Sequence, residues 1–262
     1  PEEPWEKFGC EDPRVTKFEG RYYIFYTALS EFPFKASGIK VAVAISKDLE
    51  TIESRHLVTP FNAKAFSLFP KRVNGKIVGM LTAHTDEPPA KIALVECDAI
   101  EDLWDEKFWK AWHERIDEYR INPLRESHDH VETGPPPIET KAGWLVMYSY
   151  IQYYFGGGKR VFGVEALLLD KKNPLKIIGK TKGPMLVPEE IYERYGVVSD
   201  VVFPTGTLLH KNGRLDIFYG AADTVVARAS VNINDLLTSL VPKKRLTLVK
   251  RYAKNPIIEP VA

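Results

Sequence analysis

A four-fold internal repeat constrains the fold of this chain more than any other feature of its sequence. Each copy has a proline, a glycine-containing turn and an apolar strand, and the prolines Pro13, Pro70, Pro137 and Pro204 lie roughly 60 residues apart. In each copy, a further strand-like run follows the apolar strand, at 39–46, 91–97, 160–169 and 225–233. Such strand sets are typical of β-propeller blades. A sandwich lacks this long period, and a doubly wound sheet needs a helix after each strand.

The repeat predicts an all-β chain that forms a single β-propeller domain over residues 1–262. Tyr26, Tyr148 and Tyr219 end the apolar strand of three copies, so we expect them at equivalent blade positions. Helical signals are few. One amphipathic helix is predicted where Trp104, Phe108, Trp112 and Ile116 recur at four-residue spacing.

Composition excludes several classes of protein. The chain carries 36 Lys and Arg against 35 Asp and Glu, a formal net charge of +1, which leaves no global field for nucleic acid or an anionic membrane. No apolar run is long enough for a transmembrane helix, and the cytoplasm is the expected location. Phosphate-loop and dinucleotide patterns are missing, so no cofactor is predicted. His128-Asp129-His130 is interpreted as a polar loop and not as a metal site, because a metal needs three or four convergent ligands.

Two aspartates have distinctive settings. Asp12 precedes Pro13, which predicts an extended backbone that fixes the direction of its side chain, with Arg14 on the same side of the strand. This pair is as consistent with a structural role as with a catalytic one. Asp223 lies in a small-residue segment between two strands, where it could meet a ligand or form an Asx turn. Paired carboxylates with aromatic surfaces are the chemistry of glycosidic bond cleavage.

Several segments of the chain are similar, in order, to glycoside hydrolase family 130, whose members cleave β-mannosidic bonds with inversion, using phosphate or water. These segments are Gly9–Arg14, Tyr22–Ala28, Pro135–Tyr148, Val201–Gly206 and Tyr219–Thr224. The resemblance implies a five-bladed propeller. It makes Asp12 the general acid, Asp223 a ligand of the non-reducing-end sugar and Lys64 a site lysine. Arg14 and Tyr148 are also predicted to bind the substrate. Relative to the family, the chain begins at the second blade and residues 255–260 resemble the opening of the first, so one blade is expected to be incomplete.

Two departures from the family bear on the acceptor. Phosphorylases of the family carry Arg and His where this sequence has Ala83 and Ser149. Hydrolysis of manno-oligosaccharides is therefore the expected reaction, with Glu132 as the first candidate for the base and Glu165 as the second. The alternatives are a phosphorylase that releases mannose 1-phosphate, a carbohydrate-binding propeller without activity, and an arabinanase-like glycosidase. The expected partner is a small oligosaccharide, and a homo-oligomer is left open.

Overall fold

Four antiparallel sheets follow one another along the chain in the computed structural model, which describes residues 2–87, 90–155 and 157–240. Each sheet is a meander, in which strands adjacent in sequence pair with one another. The first blade contains β1 (Cys10–Phe18), β2 (Arg21–Leu29), β3 (Ile39–Ser46) and β4 (Ser54–Leu57). The second contains β5 (Ala63–Leu68), β6 (Ile77–Ala83), β7 (Lys91–Cys97) and β8 (Arg120–Ile121).

The third and fourth blades repeat this plan with small changes. In the third blade, two short segments pair with the same neighbouring strand; it contains β9 (His130–Thr133), β10 (Ile138–Glu139), β11 (Trp144–Gln152), β12 (Val161–Leu169) and β13 (Ile177–Lys180). The fourth has three strands among the described residues, which are β14 (Val202–Leu209), β15 (Arg214–Ala221) and β16 (Val225–Asn232). The strands predicted at 39–46, 91–97, 160–169 and 225–233 are present within one residue of their expected bounds.

The central strands are buried on both faces, which explains why the blades must pack against one another. All seven residues of β6 are buried, as are the first eight of β11. Accordingly, one apolar cluster joins the first and second blades around Phe25 and Phe66, whose rings stack with centroids 4.2 Å apart. A second cluster joins the second and third blades, and a third joins the third and fourth.

The innermost strands form a circuit around an axis. β1 contacts β5, β5 contacts β9, the third blade contacts β14, and β14 contacts β1. Over the residues that the structure describes, the architecture is therefore an all-β propeller with four blades, one for each copy of the repeat. The expected fifth blade is not confirmed, and residues 255–260, which resemble the opening of a blade, lie outside the described residues.

The strand-pairing register shows that three blades carry a tyrosine at an equivalent position. Tyr26, Tyr148 and Tyr219 each lie on the second strand of a blade, opposite the bulge or break in the first strand. Each tyrosine hydroxyl donates a hydrogen bond to a buried glutamate, namely Glu6, Glu165 and Glu193. The evenly spaced prolines, by contrast, are not equivalent: two lie within bulged strands, one follows β5 and one precedes β10. The strand pattern, and not the proline spacing, therefore defines the repeat.

Helices are short and few in the described ranges. They are α1 (Glu106–His113), α2 (Ile191–Arg194) and α3 (Ile233–Leu240). Asp105 caps α1 by accepting a hydrogen bond from the Lys107 amide. The predicted aromatic stripe is only partly right: Trp104 and Ile116 lie outside α1 in flanking 3-10 turns, and within α1 Trp109 and Trp112 are buried whereas Phe108 is only partly buried. No helix in the described part of the chain is long and apolar enough to cross a membrane.

Candidate active site

One residue from the first strand of each blade occupies the same register position, beside the irregularity in that strand. The cross-strand pairs are Glu11 with Thr27, Lys64 with Thr82, Glu132 with Ser149, and Phe203 with Gly220. We call Glu11, Lys64, Glu132 and Phe203 the axial ring, because all four line a single pocket of about 630 Å³. The repeat therefore delivers one side chain from each blade to a shared cavity.

Asp12 also lines this pocket, and its backbone differs from the expectation. The strand β1 bulges between Glu11 and Arg14, and Asp12 adopts a φ of 52° in the left-handed region. The extended conformation predicted from the following proline is therefore wrong, because the bulge inserts an extra residue that must turn the chain. Such a conformation costs about 1–3 kcal/mol in a residue other than glycine and is tolerated best by Asp and Asn.

The electrostatic surroundings of Asp12 favour its protonated form. Burial raises the pKa of this carboxyl, and the charge of Glu132 raises it further, while Arg14 and Lys64 oppose the shift. The result is a pKa above the ordinary value for aspartate. A partly buried carboxyl that holds its proton at higher pH is suited to act as a general acid.

Arg14 is fully buried and does not line the pocket. Its bulged strand turns the side chain away from the cavity, so the expectation that it faces the same side as Asp12 is not met. Its guanidinium donates hydrogen bonds to three backbone carbonyls, those of Asp12, Thr133 and Gly134. In this conformation it has no direct access to a substrate.

Lys64 and Asp86 form an ion pair at the wall of the pocket. Lys64 Nζ lies 3.3 Å from Asp86 Oδ1, and both side chains are partly exposed. Burial alone would lower the pKa of Lys64, but the charges of Glu132, Asp86 and Glu11 raise it above its ordinary value. Lys64 is therefore a cation over the whole physiological pH range. This placement agrees with its prediction as a site residue.

Glu132 joins the pocket from β9 on the third blade. Its Oε1 atom lies 3.3 Å from Nε2 of the buried His130, without the alignment of a hydrogen bond. The His130 ring stacks on Tyr154, another residue of the pocket wall. Glu132 therefore presents a carboxylate to the cavity with an imidazole behind it.

Asp223 enters the pocket from a tight turn between β15 and β16. Ala222 and Asp223 both have positive φ, 48° and 49°, and the Thr224 amide bonds to the Ala221 carbonyl. Two consecutive left-handed residues define the hairpin turn that matches strand twist. Partial burial raises the pKa of Asp223, as do the charges of Asp12 and Glu132, while Lys64 lowers it. Asp223 therefore forms part of the tight hairpin turn, and this turn holds its carboxyl at the rim of the pocket.

Glu165 and Tyr148, both predicted as site residues, lie outside the pocket wall. Both carboxylate oxygens of Glu165 accept hydrogen bonds from Arg125, at 2.6 Å each, and Oε2 also accepts one from Tyr148 at 2.7 Å. The Glu165 side chain has no exposed surface. A carboxylate that is fully buried, with both oxygens engaged, has no access to the cavity, so the structure argues against Glu165 as a base. Tyr148 serves this buried cluster in place of a substrate.

Other pocket residues were not singled out from the sequence. They are Glu11, Thr85, Asp86, Tyr154, Arg160, Phe162 and Phe203, together with three valines. Glu11 has a detectable signal, because it stands beside Asp12 at the repeat position that Lys64 and Glu132 also occupy. Arg160 has none. Its guanidinium lies 4.5 Å from the centroid of the Tyr154 ring, in contact with a loop that follows no repeat.

The site contains the parts needed to break a glycosidic bond. It holds a carboxyl biased toward its acid form, a second carboxylate on another blade, two cations, and the aromatic rings of Tyr154, Phe162 and Phe203. Among the described residues, no cluster of three or more His, Cys, Asp or Glu side chains could hold a metal ion. In the loop predicted to be polar, Asp129 accepts hydrogen bonds from Tyr150 and from the Tyr153 amide.

Comparison with known proteins identifies relatives across the whole chain. A sequence profile described as β-1,4-mannooligosaccharide phosphorylase matches residues 1–241. The 1,2-β-oligomannan phosphorylase of Thermoanaerobacter sp. is 32% identical over 228 residues, covering 87% of this chain and 70% of that protein. The β-1,4-mannooligosaccharide phosphorylase of Ruminococcus albus is 31% identical over 229 residues, covering 86% and 63%. The structure of β-1,2-mannobiose phosphorylase from Listeria innocua superposes with a TM-score of 0.76 at 27% identity, covering 92% of this chain and 63% of that one.

Fold and site together define a mannoside-active enzyme built on a β-propeller. Since the family profile covers nearly all of it, the chain belongs to glycoside hydrolase family 130. It spans 63% to 70% of the length of the relatives named above.

The buried Glu165 cluster yields a prediction that separates structure from chemistry. We expect Glu165→Gln to lower the free energy of unfolding by on the order of 3 kcal/mol, because Arg125 loses its ionised partner. Turnover of the folded fraction should stay within about three-fold of wild type. Thermal denaturation and steady-state kinetics measure the two effects. A variant that is stable but inactive would show that Glu165 takes part in the reaction.

Proposed function

We propose that this protein cleaves β-mannosidic bonds of manno-oligosaccharides with inversion, with Asp12 as the general acid and inorganic phosphate as the acceptor. Asp12 carries the proposal, because a carboxyl with a raised pKa lines an open pocket on the propeller axis. In the reaction, a phosphate oxygen bonds to C1 of the mannosyl unit from the face opposite the leaving group. The C1–O bond breaks, and the leaving oxygen takes the proton of Asp12. The products are α-mannose 1-phosphate and a shortened oligosaccharide.

Two observations favour phosphate over the hydrolysis expected from the sequence. The relatives with 31% and 32% identity are both named phosphorylases, as is the structural neighbour. The pocket also has two cations, Lys64 and Arg160, and Arg160 makes no salt bridge to any residue in the described ranges. A phosphate dianion needs such donors to replace its hydration.

Hydrolysis is the second candidate, favoured by the charge of the pocket. Five carboxyl groups line it, those of Glu11, Asp12, Asp86, Glu132 and Asp223, against two cations. In addition, Ala83 and Ser149 stand where phosphorylases of the family carry basic side chains. Ala83 is fully buried, and the buried Ser149 hydroxyl has no hydrogen-bond partner among the described residues. In this mechanism, Glu132 would deprotonate a water on the side of the sugar opposite Asp12.

The role of Asp12 predicts a specific pattern of lost activity. Asp12→Asn should lower kcat on a β-linked mannobiose by about 10²–10⁴-fold, because the leaving oxygen is no longer protonated. The loss should be smaller on dinitrophenyl β-mannoside, whose leaving group needs little acid assistance. In the wild type, activity is present below the raised pKa of Asp12 and falls as the pH rises through it. A mannobiose rate close to wild type in the variant would remove Asp12 from the mechanism.

The acceptor is tested by product analysis with a panel of β-linked mannobioses, with and without phosphate. We expect mannose 1-phosphate as the main product and cleavage that depends on phosphate concentration. Lys64→Met should raise the KM for phosphate about ten-fold or more, because a cation facing the anion is removed. Free mannose released at a rate indifferent to phosphate would support hydrolysis instead. Tight binding without turnover would assign the chain to carbohydrate binding.

Glu132→Gln distinguishes the two reactions with a single isosteric change. If phosphate is the acceptor, removing this negative charge should lower the KM for phosphate by a few-fold, since repulsion of the dianion decreases. If water is the acceptor, the same variant loses its base, and turnover falls by about 10²-fold or more. Initial rates at varied phosphate concentration measure both outcomes, and circular dichroism confirms that the variant is folded.

We also propose that a fifth blade fits between the fourth blade and the first outside the axis, where their innermost strands β14 and β1 are already in contact. The apolar clusters join blades one to two, two to three and three to four, whereas the outward face of the first blade packs its own small cluster around Tyr26 and Trp5. On the fourth blade, Val226 of β16 lies on the face opposite the third blade and is 81% exposed. These two faces are the surfaces that a further blade would cover.

A further inference from the structure

Arg14 is a buried arginine that lies between the backbone of Asp12 and the backbone that follows Glu132. Arg14 Nη1 donates to the Asp12 carbonyl at 2.7 Å, on the bulge that carries the acid. Nε donates to the Gly134 carbonyl at 2.9 Å and Nη2 to the Thr133 carbonyl at 3.2 Å, directly after Glu132 on the third blade. One rigid guanidinium therefore joins the backbone of Asp12 to the backbone beside Glu132.

The guanidinium is unusual in its partners. Arg14 is 1% exposed, yet no carboxylate lies within salt-bridge distance of it among the described residues, and its three bonds all go to carbonyls. A buried charge without a contacting counter-ion is costly, so its retention calls for an explanation. The opposite charges that act on it are those of Asp12 and Glu132, two of the five carboxyls that line the pocket. The free-energy cost of burying the Arg14 charge therefore arises next to the pocket.

We propose that Arg14 is a positioning residue, which fixes the separation between Asp12 and the Glu132 side of the pocket by bridging their two backbones. This role rests on the proposed function, in which the acid and the acceptor act on opposite faces of the sugar. Inverting glycosidases hold the acid and the second carboxyl about 6.5–9.5 Å apart, which leaves room for the acceptor on the opposite face of the sugar. The planar fork of arginine sets this spacing in a way that the single ammonium of lysine does not reproduce.

The test compares two substitutions that separate geometry from charge. Arg14→Lys keeps the charge and loses the fork, so kcat on a β-linked mannobiose should fall about 10- to 100-fold, with KM within about three-fold of wild type. The loss should be clearly smaller on dinitrophenyl β-mannoside, which depends little on a well-placed acid. A defect that is equal on both substrates would indicate a general structural effect and would overturn the proposal.

Arg14→Met removes the charge as well. The charged groups around Asp12 are Arg14 on its own strand, Glu11 beside it, Lys64 on β5, Glu132 on β9 and Asp223 on the β15–β16 turn. Because Arg14 lowers the pKa of Asp12, its loss should move the alkaline limb of the pH–activity profile to higher pH, while Arg14→Lys leaves that limb in place. An unmoved limb in Arg14→Met would contradict the electrostatic part of the bridge.

Ser67→Ala is the matched control. Ser67 Oγ donates to the same Gly134 carbonyl at 2.7 Å, but Ser67 makes no hydrogen bond to Asp12. It should lower stability with no change in leaving-group dependence. If Arg14→Met fails to fold, the substrate comparison with Arg14→Lys decides; if both fail, Arg14 acts in stability alone and the proposal is wrong. A wild-type enzyme that cleaves no mannoside would refute the proposed function itself, whereas an active wild type with a normal Arg14→Lys variant refutes only the bridge.

Discussion

The whole structure depends on sheets that are apolar on both faces. A sheet with central strands such as β6 and β11 cannot leave either face in water, and only a neighbouring sheet supplies enough apolar surface to cover it. Packing each blade against the next produces the three inter-blade clusters. It also brings the first strands together at the axis. The site is thus a geometric consequence of core formation, because the strands that are innermost in the ring carry their irregular ends into one pocket.

Bulges convert this regular ring into a chemical site. Three of the four first strands carry one, between Glu11 and Arg14, between Lys64 and Ser67, and between Pro204 and Gly206. A bulge lets neighbouring residues point in unrelated directions, so that Asp12 faces the pocket while Arg14 goes beneath it. The same device in the second blade leaves Lys64 at the wall and directs Ser67 to the Gly134 carbonyl. Lys64 is therefore equivalent to Glu11 and Ser67 to Arg14, while Asp12 occupies the bulge position that Ala65 holds in the second blade.

The sequence predicts the fold better than it predicts the site, for identifiable reasons. The repeat reveals the strands and the equivalence of Tyr26, Tyr148 and Tyr219, because apolar strand patterns are local. Four residues, Asp12, Lys64, Glu132 and Asp223, are predicted from the repeat and the family resemblance, and all four line the pocket.

The predicted role of Glu165 is not supported, because its partner Arg125 lies 40 residues away in the sequence and only the tertiary structure pairs them. The direction of the Arg14 side chain is predicted wrongly, because strand alternation assumes a regular strand and a bulge interrupts this one. Arg160 stands at the start of the predicted 160–169 strand, but nothing in the local pattern shows that its side chain reaches the pocket.

The axial ring explains how one propeller can serve two acceptors. Its members Glu11, Lys64, Glu132 and Phe203 are equivalent by register, so each is a single position at which the charge of the pocket can be changed without altering a blade. Exchanging a lysine for a glutamate there changes the local charge by two, at a short distance from the reacting carbon. A positive ring lowers the cost of holding a phosphate dianion, whereas a carboxylate in the same place repels the dianion and can deprotonate water instead. In this chain Lys64 and Glu132 supply one group of each kind, and the charges of both act on the carboxyl of Asp12. Under the proposed function, the balance of charge around the ring sets the choice of acceptor, while the acid step on the leaving oxygen is common to both candidate reactions.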